Sequence, residues 1–152
     1  MNKREIVQSL MDSLQKGEFE LANSMLADEF QFSGPVPEPI NREDWLSMSI
    51  NLKTAFPDLD YHFKVIGTDG NIVRSTTQLS GTHQGTLDLS NMNMGLIPAT
   101  NKPVSVKMAK TRVTVKDDKV TLWAVEPTDG AGLAAILAQL GVEAALQKPV
   151  VS

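Results

Sequence analysis

The spacing of apolar residues changes twice along the chain, from a helical period to an alternating one and back. Between residues 2 and 16, and again between about 41 and 56, apolar side chains recur every three or four positions, as on one face of a helix. From Asp60 to Glu126 apolar and polar residues mostly alternate, which is typical of strands. A last apolar stripe between Leu133 and Leu140 predicts a closing helix. We therefore predict an α+β fold with a curved antiparallel sheet packed on N-terminal helices.

The helical and strand segments have recognisable ends. Asn41 is an expected N-cap, with Asp44 three residues later, and Pro57 ends the helix that follows. Gly17 and Gly141 are expected to end the first and last helices. Turn residues separate four long predicted strands: Asp60–Thr68, Ile72–His83, Pro103–Val115 and Val120–Glu126.

The strand predicted for Ile72–His83 has two unlike faces. One face carries Val73, Ser75, Thr77, Leu79, Gly81 and His83, whereas the other carries only polar side chains, from Arg74 to Thr82. Since successive side chains of a strand point to opposite sides, the first face is the better candidate for the interior. We therefore expect the His83 imidazole to point inward.

Composition narrows the functional classes. Apolar residues make up 41% and charged residues 21%, and the net charge is −4, which together fit an ordinary globular protein and disfavour nucleic-acid binding. Cysteine is absent and only two histidines occur, so we expect no disulfide, no thiol nucleophile and no metal site. The N-terminus has neither a signal-peptide nor a membrane-span pattern, and we expect a cytoplasmic protein without a membrane partner.

The stretch from Gln78 to Val104 carries the most unusual local sequence. It contains a histidine between two glycines, GTHQG, followed by a segment rich in methionine, leucine and proline. Methionine adapts to irregular apolar ligands. We therefore expect this stretch to form the mouth of an apolar pocket between the helices and the sheet.

Several segments occur together in a familiar order. These are AFPDL at 55–59, a glycine turn at 70, GTHQG at 81–85, LIPATNK at 96–102, DKV at 118–120 with a following tryptophan, and AQLG at 138–141. In this order and spacing the chain resembles the SnoaL-like polyketide cyclases of the NTF2-like superfamily. The resemblance covers roughly residues 2 to 141.

The resemblance implies a cone-shaped α+β barrel with a deep apolar pocket, a homodimer formed through the sheet, and ring closure without a cofactor. The family's pocket acid/base is typically an aspartate. Many relatives carry a Glu-His-Trp-Asp run on the last strand, where this chain reads VTLWAVE from Val120 to Glu126. The tryptophan is retained, but the flanking histidine and aspartate are missing, so that acid/base position does not carry over.

Three residues remain as catalytic candidates. His83 has the ordinary pKa of an acid/base group near neutrality, about 6.5, or it is a turn histidine bonded to backbone. Glu126 ends the last strand and would become an acid or base in an apolar mouth, or it is a solvated strand end. Asp129 precedes a helix and is a candidate proton carrier, although an N-cap is its simpler role.

Seven residues are candidate substrate contacts, each with a core-packing role as the alternative. They are Trp45, Tyr61, Leu79, Met92, Met94, Leu96 and Trp123.

We predict one domain spanning 1–152, whose tail at 141–152 would be a lid or a dimer contact. The observations lead to three functional hypotheses. The first is a cofactor-independent cyclase or isomerase that abstracts a proton beside a carbonyl of a hydrophobic small molecule, with His83 as base or enolate donor and Glu126 as second proton carrier. The alternative is a homodimeric, non-catalytic binder of a hydrophobic small molecule. A weaker third hypothesis is a dimeric interaction module whose cavity is filled by its own methionines.

Overall fold

The structure is a computed structural model that describes residues 2–34, 38–89, 95–126, 128, 130 and 132–141. Four helices and ten strands lie in the described residues. The helices are α1 (Lys3–Lys16), α2 (Phe19–Ser24), α3 (Arg42–Ala55) and α4 (Gly132–Gln139). The strands are β1 (Leu26–Ser33), β2 (Ile40–Asn41), β3 (Lys64–Asp69), β4 (Ile72–Thr77), β5 (Ser80–Thr82), β6 (Leu87–Asp88), β7 (Leu96–Ile97), β8 (Pro103–Ser105), β9 (Ala109–Lys116) and β10 (Lys119–Val125).

The two long N-terminal helices begin at side-chain caps. Asn2 accepts a hydrogen bond from the Glu5 N–H at 2.8 Å, and the Glu5 carboxylate accepts from the Asn2 N–H, which forms a capping box. Asn41 caps α3 as predicted, because its side chain accepts from the Asp44 N–H at 2.8 Å. Among the described helices, none is long and apolar enough to cross a bilayer.

Six strands form the main sheet in the order β2-β1-β10-β9-β4-β3. β1 and β10 run parallel, and the other neighbouring pairs are antiparallel. The sheet is curved and does not close, and the helices pack against it, which gives the predicted α+β, cone-like fold. Two-residue turns join β3 to β4 and β9 to β10, and positive φ angles at Gly70, Asp117 and Asp118 fit such turns.

The prediction of unbroken strands at Ile72–His83 and Pro103–Val115 is wrong. β4 ends at Thr77, opposite Ala109, and pairing resumes where Ser80 meets Ser105. Two residues, 78 and 79, separate these pairs on one strand, whereas three residues, 106 to 108, separate them on the other. An extra residue on one strand bends a β-ribbon. The β5–β8 pair therefore forms a sheet of its own.

The bend brings the GTHQG sequence onto the end of α3. The N–H groups of Gln84 and Gly85 both donate to the Ala55 carbonyl, at 2.9 and 3.0 Å, which satisfies an acceptor at the helix C-terminus. A Cβ atom at Gly85 would overlap the carbonyl oxygen of Thr54. This glycine is therefore required by close packing of backbone against backbone.

Aromatic side chains join α3 to the inner face of the sheet. The Trp45 ring of α3 lies with its centroid 5.0 Å from Phe30, 6.0 Å from Phe32 and 5.8 Å from Trp123. Phe63 contacts Trp123 from the other side, at 5.9 Å. This layer forms part of the core together with apolar residues of α1 and β9.

We predict that Gly85→Ala destabilises the fold much more than Gly67→Ala. The added methyl group at 85 would meet backbone, which cannot move without shifting α3, so we expect a loss of about 1–3 kcal/mol or more. At Gly67 the methyl group would meet the end of the exposed Arg74 side chain, which can shift at the cost of its surface ion pair with Asp69, so we expect a change below about 1 kcal/mol. Urea unfolding measures the free energy of unfolding of both variants. Equal losses of stability would contradict the close approach of Gly85 to the Thr54 carbonyl.

Candidate functional site

A cavity of about 100 Å³ lies between α1, α3 and the inner face of the curved sheet. Its lining residues are mostly apolar and come from every layer of the fold. They are Met11, Phe32, Trp45, Met48, Ser49, Leu52, Tyr61, Thr77, Leu79, Val106, Lys107, Ala109, Trp123, Val125 and Ile136. The Ser49 hydroxyl donates to the Trp45 carbonyl at 2.9 Å, so Ser49 already has a partner within α3.

Tyr61 is held in this wall by backbone bonds that replace regular strand pairing. The Gln15 amide accepts from the Tyr61 N–H at 3.0 Å and donates to the Leu59 carbonyl. The Tyr61 carbonyl accepts from the Gln78 N–H at 2.8 Å. Gln15, at the end of α1, therefore fixes the chain on both sides of residue 60.

A strained turn follows Tyr61. His62 has φ 44°, in the left-handed region, and its N–H donates to the Asp60 carboxylate at 2.8 Å. Its Nε2 atom lies 2.9 Å from the Ser80 hydroxyl. The predicted strand Asp60–Thr68 is therefore wrong at its start, because a left-handed residue interrupts the ladder, and β3 begins at Lys64. This irregular segment directs Tyr61 to the cavity.

The Tyr61 hydroxyl has no hydrogen-bond partner among the described residues. Tyr61 is 8% exposed, and in the described part His83 Nε2 is the only fully enclosed side-chain polar atom without a partner. The phenol oxygen therefore keeps access to open space, and Tyr61 is one of the residues that line the cavity. Burial raises the pKa of Tyr61 well above its ordinary value, so the hydroxyl stays protonated and can donate.

His83 points inward but lies outside the cavity lining. Its side chain is 0% exposed, and its ring stacks on Phe56 with the centroids 5.3 Å apart. Nδ1 accepts from the Thr100 N–H at 3.2 Å and lies 2.9 Å from the Thr100 hydroxyl. The backbone of His83 also bonds to Lys102 and Asn101. These contacts make His83 a link between the two ends of the segment from 83 to 102.

The charge state of His83 follows from this packing. Nδ1 accepts a backbone N–H, so the neutral ring carries its proton on Nε2. Burial lowers the pKa of His83, and the Gly85 backbone only partly opposes that shift. A neutral imidazole is therefore the stable form in the fold at neutral pH.

The other sequence-predicted residues divide into three groups. Trp45, Tyr61, Leu79 and Trp123 come together in the cavity wall. Glu126 is exposed and outside the lining, with its N–H donating to the Lys110 carbonyl at 2.8 Å, and Leu96 is 63% exposed. Met92, Met94 and Asp129 lie outside the described residues. Of the stretch from 78 to 104, Leu79 is the one described residue that lines the cavity.

Sequence reasoning missed most of the remaining wall. Met48 and Leu52 share the helical stripe with Trp45, and that stripe was the available signal. Met11 is on the predicted apolar face of α1, where packing and pocket lining look alike. Lys107 was missed because its charge favours a solvent-facing position, although alternation from Ala109 places it on the cavity face. Among the described residues, no three histidine, aspartate or glutamate side chains are grouped to hold a metal ion.

Solved structures with the same fold include three informative ones. IdmH from Streptomyces antibioticus, a proposed polyketide cyclase, is 20% identical over 93% of this chain and 100% of its own, with a TM-score of 0.70. A proposed SnoaL-like polyketide cyclase from Jannaschia sp. CCS1 is 21% identical over 97% and 92%, with a TM-score of 0.66. An NTF2-like protein of unknown function from Cytophaga hutchinsonii ATCC 33406 is 15% identical over 82% and 88%, with a TM-score of 0.52. These similarities define the fold class as NTF2-like.

The family follows from the sequence itself. The profile of the SnoaL-like polyketide cyclase family matches residues 4–140. The chain therefore belongs to the SnoaL-like polyketide cyclase family, as the resemblance predicted. A comparison with curated proteins gave no significant match. The homodimer and the cytoplasmic location stay predictions.

We predict that His83 makes the fold less stable in mild acid. The pKa of His83 in the fold lies below its unfolded value, so the unfolded chain takes up a proton first as the pH falls through about 6.5. Stability is therefore complete above that pH and is lost below it, with a slope of at most about 1.4 kcal/mol per pH unit.

Urea unfolding between about pH 5 and 7 measures this slope. His83→Gln should flatten it, and His62→Gln, at the only other histidine of the chain, is the matched control. A slope that is unchanged in His83→Gln, or lost in His62→Gln, would contradict the assignment. If His83→Gln does not fold, the His83 imidazole of the wild type can be titrated by NMR. Protonation near pH 6.5 in the folded chain would contradict the assignment equally.

Proposed function

We propose that this chain binds a small, mostly apolar molecule that carries an oxygen acceptor, in the cavity between α3 and the inner face of the sheet. One observation carries the proposal: Tyr61 lines an apolar cavity, and its hydroxyl has no partner among the described residues. Ligand sites of this kind typically combine apolar walls with a few directed polar groups. Membership of the SnoaL-like polyketide cyclase family supports a small-molecule ligand.

The hydroxyl indicates which polar group the ligand offers. A desolvated O–H donor gains from meeting an acceptor, by about 0.5–1.5 kcal/mol net for a neutral pair. A carbonyl oxygen fits this position because it accepts without needing a further proton. The Thr77 hydroxyl also lines the cavity and makes no hydrogen bond to a described residue, so it offers a second donor or acceptor.

The size of the cavity limits the ligand. Drug-sized molecules occupy sites of about 300–1,000 Å³, whereas this cavity measures about 100 Å³. It accommodates roughly one ring or a short chain. A larger ligand requires the side chains of Met11 and Met48 to change rotamer, which unbranched thioethers do readily.

Catalysis is the second candidate, favoured by the family match. In proton abstraction beside a carbonyl, the Tyr61 hydroxyl would donate to the developing enolate oxygen. The base is the difficulty, since no carboxylate or imidazole of a described residue lines the cavity. His83 is enclosed elsewhere and Glu126 is exposed, so the geometry supports binding more directly than turnover.

We predict that Tyr61→Phe removes the preference of the cavity for a carbonyl ligand. Acetophenone and ethylbenzene are suitable probes, because they have similar shapes but only the first carries an acceptor. The wild type should bind acetophenone about 2- to 10-fold more tightly than ethylbenzene. Tyr61→Phe should bind both equally well.

Tryptophan fluorescence is the measurement, because both tryptophans of the chain, Trp45 and Trp123, line the cavity. Leu96→Ala, at an exposed residue outside the lining, is the control and should behave as the wild type. A carbonyl preference that persists in Tyr61→Phe, or no fluorescence response to either probe, would refute the proposed site.

We further predict binding of acetophenone without exchange of its methyl protons for deuterium. Such exchange in D₂O reports proton abstraction directly and is followed by NMR. The absence of enhanced exchange would support the binding function. Enhanced exchange that is lost in Tyr61→Phe would instead support the catalytic candidate. Its base would be identified by loss of exchange in one of three further variants, Glu126→Gln, His83→Gln or Asp129→Asn.

A further inference from the structure

We infer that the natural ligand of this cavity is a small hydrophobic carboxylate, and that the Lys107 ammonium group pairs with its acid group at the rim. This inference rests on the proposed function and specifies its ligand class. Lys107 is the only charged residue among the described residues that line the cavity.

The bend in the sheet places Val106 and Lys107 together at the cavity. Lys107 lies in the three-residue segment of 106 to 108 that faces only two residues on the opposite strand. Val106 and Ala109, on either side, line the same cavity, whereas Met108 is exposed. In a regular strand Lys107 and Val106 would point to opposite faces. The bend therefore brings both to one wall.

The start of the Lys107 side chain is held in place. The Lys107 N–H donates to the Gly130 carbonyl at 2.7 Å. A Cβ atom at Gly130 would lie 3.0 Å from Lys107 Cδ, so the lysine stem runs directly across this glycine. Lysine commonly covers apolar surface with its methylene groups while its charge stays in water. The Lys107 stem thus forms part of the apolar wall and leaves its ammonium group at the rim.

The ammonium group is unpaired in the described part of the chain. The ion pairs there join Arg42 to Asp28 and Arg74 to Asp69, and His62 Nε2 lies 3.8 Å from the Asp60 carboxylate. Lys107 makes no side-chain hydrogen bond to a described residue either. A cation beside an apolar cavity, without an internal partner, is available to a ligand.

The charge and shape of the wall specify the class of acid. One cation matches one negative charge, so a monoanionic carboxylate fits better than a dianionic phosphate. The net charge of −4 disfavours anions at long range, so a preference for an acid must come from a local contact. An apolar body would fill the cavity, and a carboxylate at one end would reach the rim.

Phenylacetate and phenylacetamide test the inference, because they are nearly isosteric and differ in charge. Wild-type protein should bind the acid about fivefold more tightly than the amide, as read by tryptophan fluorescence. Lys107→Met should bind both equally, and Lys107→Arg should retain the preference. Lys110→Met is the matched control, because it removes the same charge from an exposed position outside the cavity and should keep the wild-type preference.

The outcomes separate this inference from the proposed function. An acid preference that persists in Lys107→Met, or is absent in the wild type, overturns the inference. If the amide binds and Tyr61→Phe abolishes the carbonyl preference while the acid is not favoured, only the inference fails. If neither probe binds the wild type, the inference and the proposed function fail together.

Discussion

The contact between Trp45 of α3 and Trp123 of β10 is the constraint on which the rest of the structure depends. These two large rings, with Phe30 and Phe32 beside Trp45, set the spacing between the helix and the inner face of the sheet. Both tryptophans also line the cavity, together with Met48, Ser49 and Leu52 of α3. The aromatic contact and the cavity wall therefore share the same two rings.

Two of the polar residues at this cavity, Tyr61 and Lys107, lie in irregular backbone. A regular β3 would continue through Tyr61, but the left-handed turn at His62 and the Gln15 amide hold this residue in a different geometry. A regular β9 extended back to residue 106 would keep Lys107 on the face of Ala109 and send Val106 to the outer face, whereas the bend brings both to the cavity. Tyr61 and Lys107 thus both lie in interruptions of the sheet, and Ser49 of α3 and Thr77 of β4 are the other polar residues of a mostly apolar wall.

This origin explains how far the sequence could predict the molecule. Helical stripes, caps and two-residue turns are local features, and they located α1, α3 and the β3–β4 and β9–β10 hairpins. Alternation in Ile72–His83 correctly placed Val73, Ser75 and His83 inside. Alternation fails to predict side-chain direction where two paired strands have different numbers of residues between the same pairs. The extra residue can be recognised only when both strands are compared. The presence of both Val106 and Lys107 in the cavity wall could not be predicted for that reason.

The GTHQG sequence shows the same limit for function. Its glycine at 85 and its histidine are explained by packing against α3 and by bonds to the 100–102 segment. Spacing alone cannot separate such a structural histidine from an acid/base group, since both are inward-facing and conformationally fixed. The distinction required knowing that the ring stacks on Phe56 and that the cavity lies elsewhere.

The most direct measurement of the central claim is the ionisation of Tyr61, because this chain has a single tyrosine. Tyrosinate absorbance and far-ultraviolet circular dichroism would be followed together as the pH is raised. A largely buried phenol should give little tyrosinate signal at pH 10, where a solvated tyrosine is about half ionised, because burial raises the pKa of Tyr61. A midpoint near pH 10 in a chain that is still folded would show a phenol in water, and would contradict the cavity and the role of Tyr61 in it.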